Sequence, residues 1–217
     1  MKKYITEFIG TFFLVLTIGL VSGDNAPIAI GAALMVMIYA GGHISGAHYN
    51  PAVTLGVLIR KRISANDAVV YIVSQVLGAA TAAIVVGLFR DIPSEPHQTL
   101  DTTKALVAEV LGTFALVYVV LNVATVKANE GNSYFGLAIG FTVMAMAYCF
   151  GVYSGGAFNP AVAVGAAVLK LSSWTNIWIF LVACFGGGAL AAIVFNALNP
   201  EEKLPVTGPE DKIDKKP

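Results

Sequence analysis

Charge is scarce in this sequence. Asp, Glu, Lys and Arg make up 12% of its 217 residues, about half the share of an ordinary soluble domain. The two signs cancel to a formal net charge of +0, so no basic footprint for nucleic acid exists. Cysteine is nearly missing. Cys149 and Cys184 are the only two, and both lie in apolar runs. That argues against a disulfide framework and offers no metal-ligand spacing. No nucleophile–base cluster is present either, so no enzyme, metal or other cofactor is expected. A cleavable leader is imitated by Met1-Lys2-Lys3 and the apolar run behind it. Glu7 interrupts that run and no clear small-residue cleavage site follows, so a retained first helix is expected.

Hydrocarbon fills the space that charge leaves, with 57% of residues hydrophobic. Six runs have the length and apolarity of membrane helices: Tyr4–Val21, Pro27–Ala40, Ala68–Leu88, Ala105–Ala124, Tyr134–Val152 and Trp174–Leu198. The second needs a few flanking residues to reach across. An all-α integral membrane protein is therefore expected. Two shorter apolar pieces, Pro51–Ile59 and Pro160–Leu169, follow the second and fifth runs. At ~1.5 Å per residue each is a helix of roughly 15 Å, about half of a ~30 Å hydrocarbon core. Each is introduced in the same way. Ser45-Gly-Ala-His-Tyr-Asn-Pro-Ala-Val53 and Ser154-Gly-Gly-Ala-Phe-Asn-Pro-Ala-Val162 share six of nine residues. Glycine permits unusual backbone angles, Asn caps the helix, and Pro occupies its first position.

The whole chain repeats. Glu7-x-x-Gly10-Thr11-Phe12 returns as Glu109-x-x-Gly112-Thr113-Phe114 at an offset of 102. Met35-x-Met37-x-Tyr39 and the nine-residue motif both return at an offset of 109. Repeat one covers about 4–90 and repeat two about 105–198, within a single domain of residues 1–198. Three spans per repeat invert the second copy relative to the first. The half-helices then enter from opposite sides and aim their N-termini at each other. Ten of the thirteen Lys and Arg residues share one side with the N-terminus, which the positive-inside rule places in the cytoplasm. Both termini are expected there, in the cell membrane, with 199–217 as a disordered cytoplasmic tail. His97 reads as a solvated linker residue.

Irregular backbone at membrane depth is tolerated where it lines a watery path. Gly46, Ala47, His48 and Tyr49 in one copy, and Gly155, Gly156, Ala157 and Phe158 in the other, should supply free carbonyls to such a path. Asn50 and Asn159 should each add an amide donor at its centre. Each half-helix N-terminus carries about half a positive charge, and no acid is expected to line the path. Neutral solutes should pass and cations should not. Glu7 and Glu109, ionisable groups inside spans, are expected to bind the loop backbone rather than couple protons. Gly10, Gly112, Gly186, Gly187 and Gly188 should permit close helix crossings.

The paired Asn-Pro-Ala motifs, the lead-in His43-Ile44-Ser45-Gly46-Ala47-His48 and the repeated Glu-x-x-Gly-Thr-Phe resemble the major intrinsic protein family, the aquaporins and aquaglyceroporins. The resemblance spans about residues 4–198. It implies six transmembrane helices with two re-entrant half-helices, one pore per subunit, a homotetramer, and pore motifs at Asn50, Pro51, Ala52 and Asn159, Pro160, Ala161. It also implies a selectivity filter at Ile30, Ala147, Gly156 and Val162. Most members carry Arg where this chain has Val162. A full charge ~5 Å from an ion is worth about 3 kcal/mol at an effective dielectric of ~20. The filter is therefore expected to be wide, apolar and uncharged, passing water and small neutral solutes such as glycerol, urea or metalloid hydroxides. A secondary transporter built on inverted repeats and a low-flux structural membrane protein are the competing readings.

Overall fold

The computed structural model describes residues 1–96 and 100–202. His97 and residues 203–217 of the tail lie outside them. Eight α-helices follow in order among the described residues: α1 Lys2–Leu20, α2 Ala26–Ser45, α3 Pro51–Ile59, α4 Ala65–Val86, α5 Thr102–Thr125, α6 Phe135–Ser154, α7 Pro160–Val168 and α8 Ile177–Leu198. Six segments are long and apolar enough to cross a membrane, counting Trp174–Leu198 as one. The remaining two, α3 and α7, are the half-helices. The first repeat is α1–α4 and the second α5–α8. The face carrying the termini is called here the termini face, and the face carrying the 87–101 connection the linker face.

Boundaries depart from the sequence expectation mainly at α2. It runs on through Gly41 and Gly42 to Ser45, five residues past Ala40. It stops at Gly46, whose φ of 83° is left-handed, a conformation glycine adopts without a Cβ penalty. The last span opens with a 3-10 turn, Trp174–Asn176, before α8 begins. Disorder was expected from residue 199, but Pro200–Glu202 forms a 3-10 turn docked on the body. Arg60, at the end of α3, reaches it with Nη1 donating to the Glu202 carbonyl at 2.5 Å and Nη2 to Glu202 Oε2 at 3.1 Å. Glu202 Oε1 also accepts the Lys127 N–H at 3.0 Å. The Arg60 guanidinium lies 5.1 Å from the Phe195 ring centroid.

Packing joins the repeats crosswise. α2 lies on α6, α3 packs against α8, and α7 against α4. The α2–α6 crossing is closest at Gly31 and Gly140. A Cβ on Gly31 would stand 2.6 Å from the Gly140 carbonyl, and one on Gly140 2.5 Å from that of Gly31. Gly187 and Gly188 also meet neighbouring backbone, but Gly186 faces open space and permits no crossing. Gly10 and Gly112 serve a different end from the one expected. Their missing Cβ atoms make room for the rings of Tyr49 and Phe158, the loop residues just before each half-helix.

Candidate functional site

Each half-helix begins with the same construction. Asn50 has an extended backbone (φ −158°) and its Oδ1 accepts the N–H groups of Ala52 at 2.8 Å and Val53 at 3.5 Å. Asn159 (φ −160°) does the same for Ala161 at 2.9 Å and Val162 at 3.3 Å. Their amide nitrogens reach across the repeat boundary. Asn50 Nδ2 donates to the Phe158 carbonyl at 2.8 Å, and Asn159 Nδ2 to the Tyr49 carbonyl at 2.9 Å. The two half-helix N-termini therefore abut, joined by a reciprocal pair of hydrogen bonds. Each amide has two N–H groups, so one per Asn remains for a passing molecule.

These crossed bonds change the expected lining. The carbonyls of Tyr49 and Phe158 each spend one of two lone pairs on the opposite Asn, so these rungs of the acceptor ladder are half occupied. Phe158 is not among the residues that line the cavity, whereas its counterpart Tyr49, with its ring packed in the same way against Gly10, is. Pro51, Ala52, Pro160 and Ala161 are also buried in helix packing rather than exposed to the cavity. Within each Asn-Pro-Ala motif only the Asn lines it.

The loops before the half-helices are bent alike. Positive φ occurs at Gly46, Ala47 and Tyr49 (83°, 50°, 49°) and at the matching Gly155, Gly156 and Phe158 (89°, 68°, 48°). Four of these six values lie in the left-handed region for residues matched across the repeats with different side chains, so the bend is imposed from outside the loop. Buried carboxyls impose it. Glu7 Oε1 accepts Ser45 Oγ at 2.6 Å and His48 N–H at 2.9 Å. Its Oε2 accepts Tyr49 N–H at 2.7 Å and Gln75 Nε2 at 2.8 Å. Glu109 Oε1 accepts Ser154 Oγ at 2.7 Å and Ala157 N–H at 2.9 Å, while Oε2 accepts Phe158 N–H at 2.6 Å and Cys184 Sγ at 3.4 Å. Both acids are 0% exposed. Four donors around two oxygens suit a carboxylate, which only accepts.

A cavity of about 220 Å³ runs through this centre. It is lined by both asparagines, by Ala47, His48, Tyr49, Gly155 and Ala157, and by Ile30, Ala147, Gly156 and Val162 together. Among the described residues its wall contains no Asp, Glu, Lys or Arg. A wider cavity of about 1360 Å³ opens on the termini face, where Gly46, Arg62, Asp67, Lys127 and Glu202 line it. His48 and Val120 belong to both walls. Sequence reasoning missed the apolar wall residues, such as Leu34, Leu116, Val120 and Val143, whose helical spacing is that of any core. It also missed Gln75 and Thr54, which hold the loop. Their only signal was a polar side chain inside or beside a membrane span.

Comparison with known proteins agrees with this geometry. The family model described as Major intrinsic protein matches residues 1–195. The Glycerol uptake facilitator protein-like 6 of Lactiplantibacillus plantarum is 36% identical over 218 residues, covering 93% of this chain and 100% of its own. Aquaporin AqpM of Methanothermobacter thermautotrophicus is 32% identical, covering 92% and 98%. Aquaporin NIP1-4 of rice is 33% identical, covering 91% and 77%. The X-ray structure of the aquaglyceroporin from Plasmodium falciparum shares the fold, with a TM-score of 0.78 over 94% of this chain and 99% of that one, at 24% identity. With its repeated half-helices, its six spans and these relatives, the chain is a multi-pass membrane protein that belongs to the major intrinsic protein family.

Proposed function

We propose that the protein is a passive channel for water and small neutral solutes, with glycerol, urea and metalloid hydroxides as the solute classes. The observation that carries this is the uncharged cavity whose centre offers one free N–H from each of Asn50 and Asn159 between largely apolar walls. A small polar molecule exchanges some of its water partners for these groups, so its desolvation cost is offset. A cation meets the positive ends of α3 and α7 instead, with no lining acid to balance them. At the linker-face side, Ile30, Ala147, Gly156 and Val162 form a filter without charge or long side chains, and it admits molecules wider than water.

Glu7 and Glu109 fit a structural role in this reading. Their oxygens are saturated by the loops together with Gln75 of α4 and Cys184 of α8, which leaves no free position for a proton-coupling cycle. The termini face, with most of the basic residues, is cytoplasmic, and the assembly is a homotetramer with one path per subunit. The test is stopped-flow light scattering on proteoliposomes. Water, glycerol and urea should all equilibrate faster than in empty vesicles. Water flux with glycerol and urea at the empty-vesicle rate overturns the wide-filter reading. Accumulation of solute above equilibrium in an imposed proton gradient overturns the channel reading.

A further inference from the structure

The two repeats match in backbone but not in the side chains around their loops. At the offset of 109, His48, Thr54 and Gln75 correspond to Ala157, Ala163 and Cys184. A polar set therefore stands on the termini-face side of the asparagines and has no counterpart beyond them. Its hydrogen bonds form one connected chain. Gln75 Nε2 donates to Glu7 Oε2 at 2.8 Å and to Thr54 Oγ1 at 3.0 Å, which uses both amide hydrogens. The carboxylate fixes which end of the amide turns toward it. Thr54 Oγ1 donates its one hydrogen to the Asn50 carbonyl at 3.0 Å. Its two lone pairs are then left for Gln75 and for His48 Nδ1, 3.1 Å away. That bond requires the hydrogen on Nδ1 and leaves a lone pair on Nε2. The imidazole is further held by the edge of Tyr71, with ring centroids 5.1 Å apart.

We propose that Thr54 is a positioning residue for permeation: it holds His48 as the Nδ1–H tautomer, so that Nε2 offers an acceptor to the solute near the free N–H of Asn50. The proposal rests on the channel reading above. It adds a ring acceptor on the termini-face side only. Beyond the asparagines a solute meets a donor, loop carbonyls and the serines Ser154 and Ser172 in a largely apolar wall. On the termini-face side the imidazole acceptor stands with the Asn50 donor, which suits molecules that bring both, such as polyols.

The test uses the full chain, labelled with 15N-histidine and reconstituted in lipid. Solid-state NMR reports which ring nitrogen carries hydrogen, and His48→Gln assigns the signals among three histidines. The parent should show hydrogen on Nδ1 of His48. Thr54→Val should move it to Nε2 or mix the tautomers, and Thr54→Ser should restore it. Glycerol flux should fall about tenfold in Thr54→Val, the rate equivalent of roughly one net hydrogen bond. Water flux should fall less than about twofold, because a water molecule turns to suit either tautomer. Hydrogen on Nε2 in the parent overturns the proposal, as does an unchanged ring in Thr54→Val. The parent spectrum decides alone if that variant fails to fold. A parent that moves no glycerol sinks the solute reading instead and leaves the ring assignment standing.

Discussion

Replacing Glu7 with Gln tests whether a buried charge shapes the first loop. The substitution keeps size and removes one acceptor. Placed at the Oε2 position, the new amide NH₂ would confront the Tyr49 N–H, which cannot turn away, and Gln75, whose amide can offer Oε1 only by giving up its bond to Thr54. Placed at Oε1 it meets Ser45 Oγ, which can rotate to accept, and the His48 N–H, which cannot. The second arrangement is the better one, and it orphans one buried backbone N–H at about 1–3 kcal/mol. The remaining bonds lose their charge assistance, which roughly halves each. Together the loss is about 3–5 kcal/mol. At about 2–4 °C per kcal/mol for a chain of this length, Tm should drop by roughly 10 °C. Glu109→Gln should cost about 1 kcal/mol less, because its fourth donor is the weakly bonding Cys184 thiol rather than an amide. Thermal unfolding in detergent measures both, and water flux in proteoliposomes shows whether the loop still forms. A Glu7→Gln protein that melts with the parent would mean that the carboxyl already carries a proton, and the argument from four donors would fail.

Val162→Arg places a charge and a long side chain in the cavity wall at the proposed filter, so glycerol flux should fall more than water flux in the stopped-flow assay. Equal losses would show that the position does not select. Glu202→Ala removes the carboxylate from buried Arg60 and leaves it the backbone carbonyl of position 202, so it should destabilise by about 3 kcal/mol, the low end for a broken buried pair. Arg60→Met combined with Glu202→Leu should recover most of that, as thermal melts can check. Gly31→Ala drives a Cβ to 2.6 Å from the Gly140 carbonyl, and the forced parting of α2 and α6 should cost about 1–3 kcal/mol, with an unchanged Tm refuting the close crossing.

Much of this architecture was legible because a bilayer narrows the choices. A run such as Ala105–Ala124 must be a helix if it crosses lipid at all, and α5, Thr102–Thr125, extends it by three residues at its start and one at its end. Asn50-Pro51 and Asn159-Pro160 announced their half-helices through capping chemistry. The repeat then placed the two motifs face to face. What stayed hidden depends on who partners whom. Nothing in the sequence says that the amide of Asn50 ends on the carbonyl of Phe158, 108 positions later. Gly186, Gly187 and Gly188 look equivalent in a row, yet helix rotation points only two of them at a neighbour. Arg60 reads as one of three loop charges beside Lys61 and Arg62. Its burial is decided by Glu202, a residue whose surroundings carry no periodicity to read.

The exchanged bonds between Asn50 and Phe158, and between Asn159 and Tyr49, bear on how the chain matures. During synthesis the first four helices are complete long before residue 158 exists. Until it arrives, the amide of Asn50 has no protein acceptor on the far side, and the short helix behind it lacks the α8 surface it packs on. The aperture is thus a product of the final step of assembly. A ribosome-bound or truncated first half would hold a polar tip in lipid with nothing to grip.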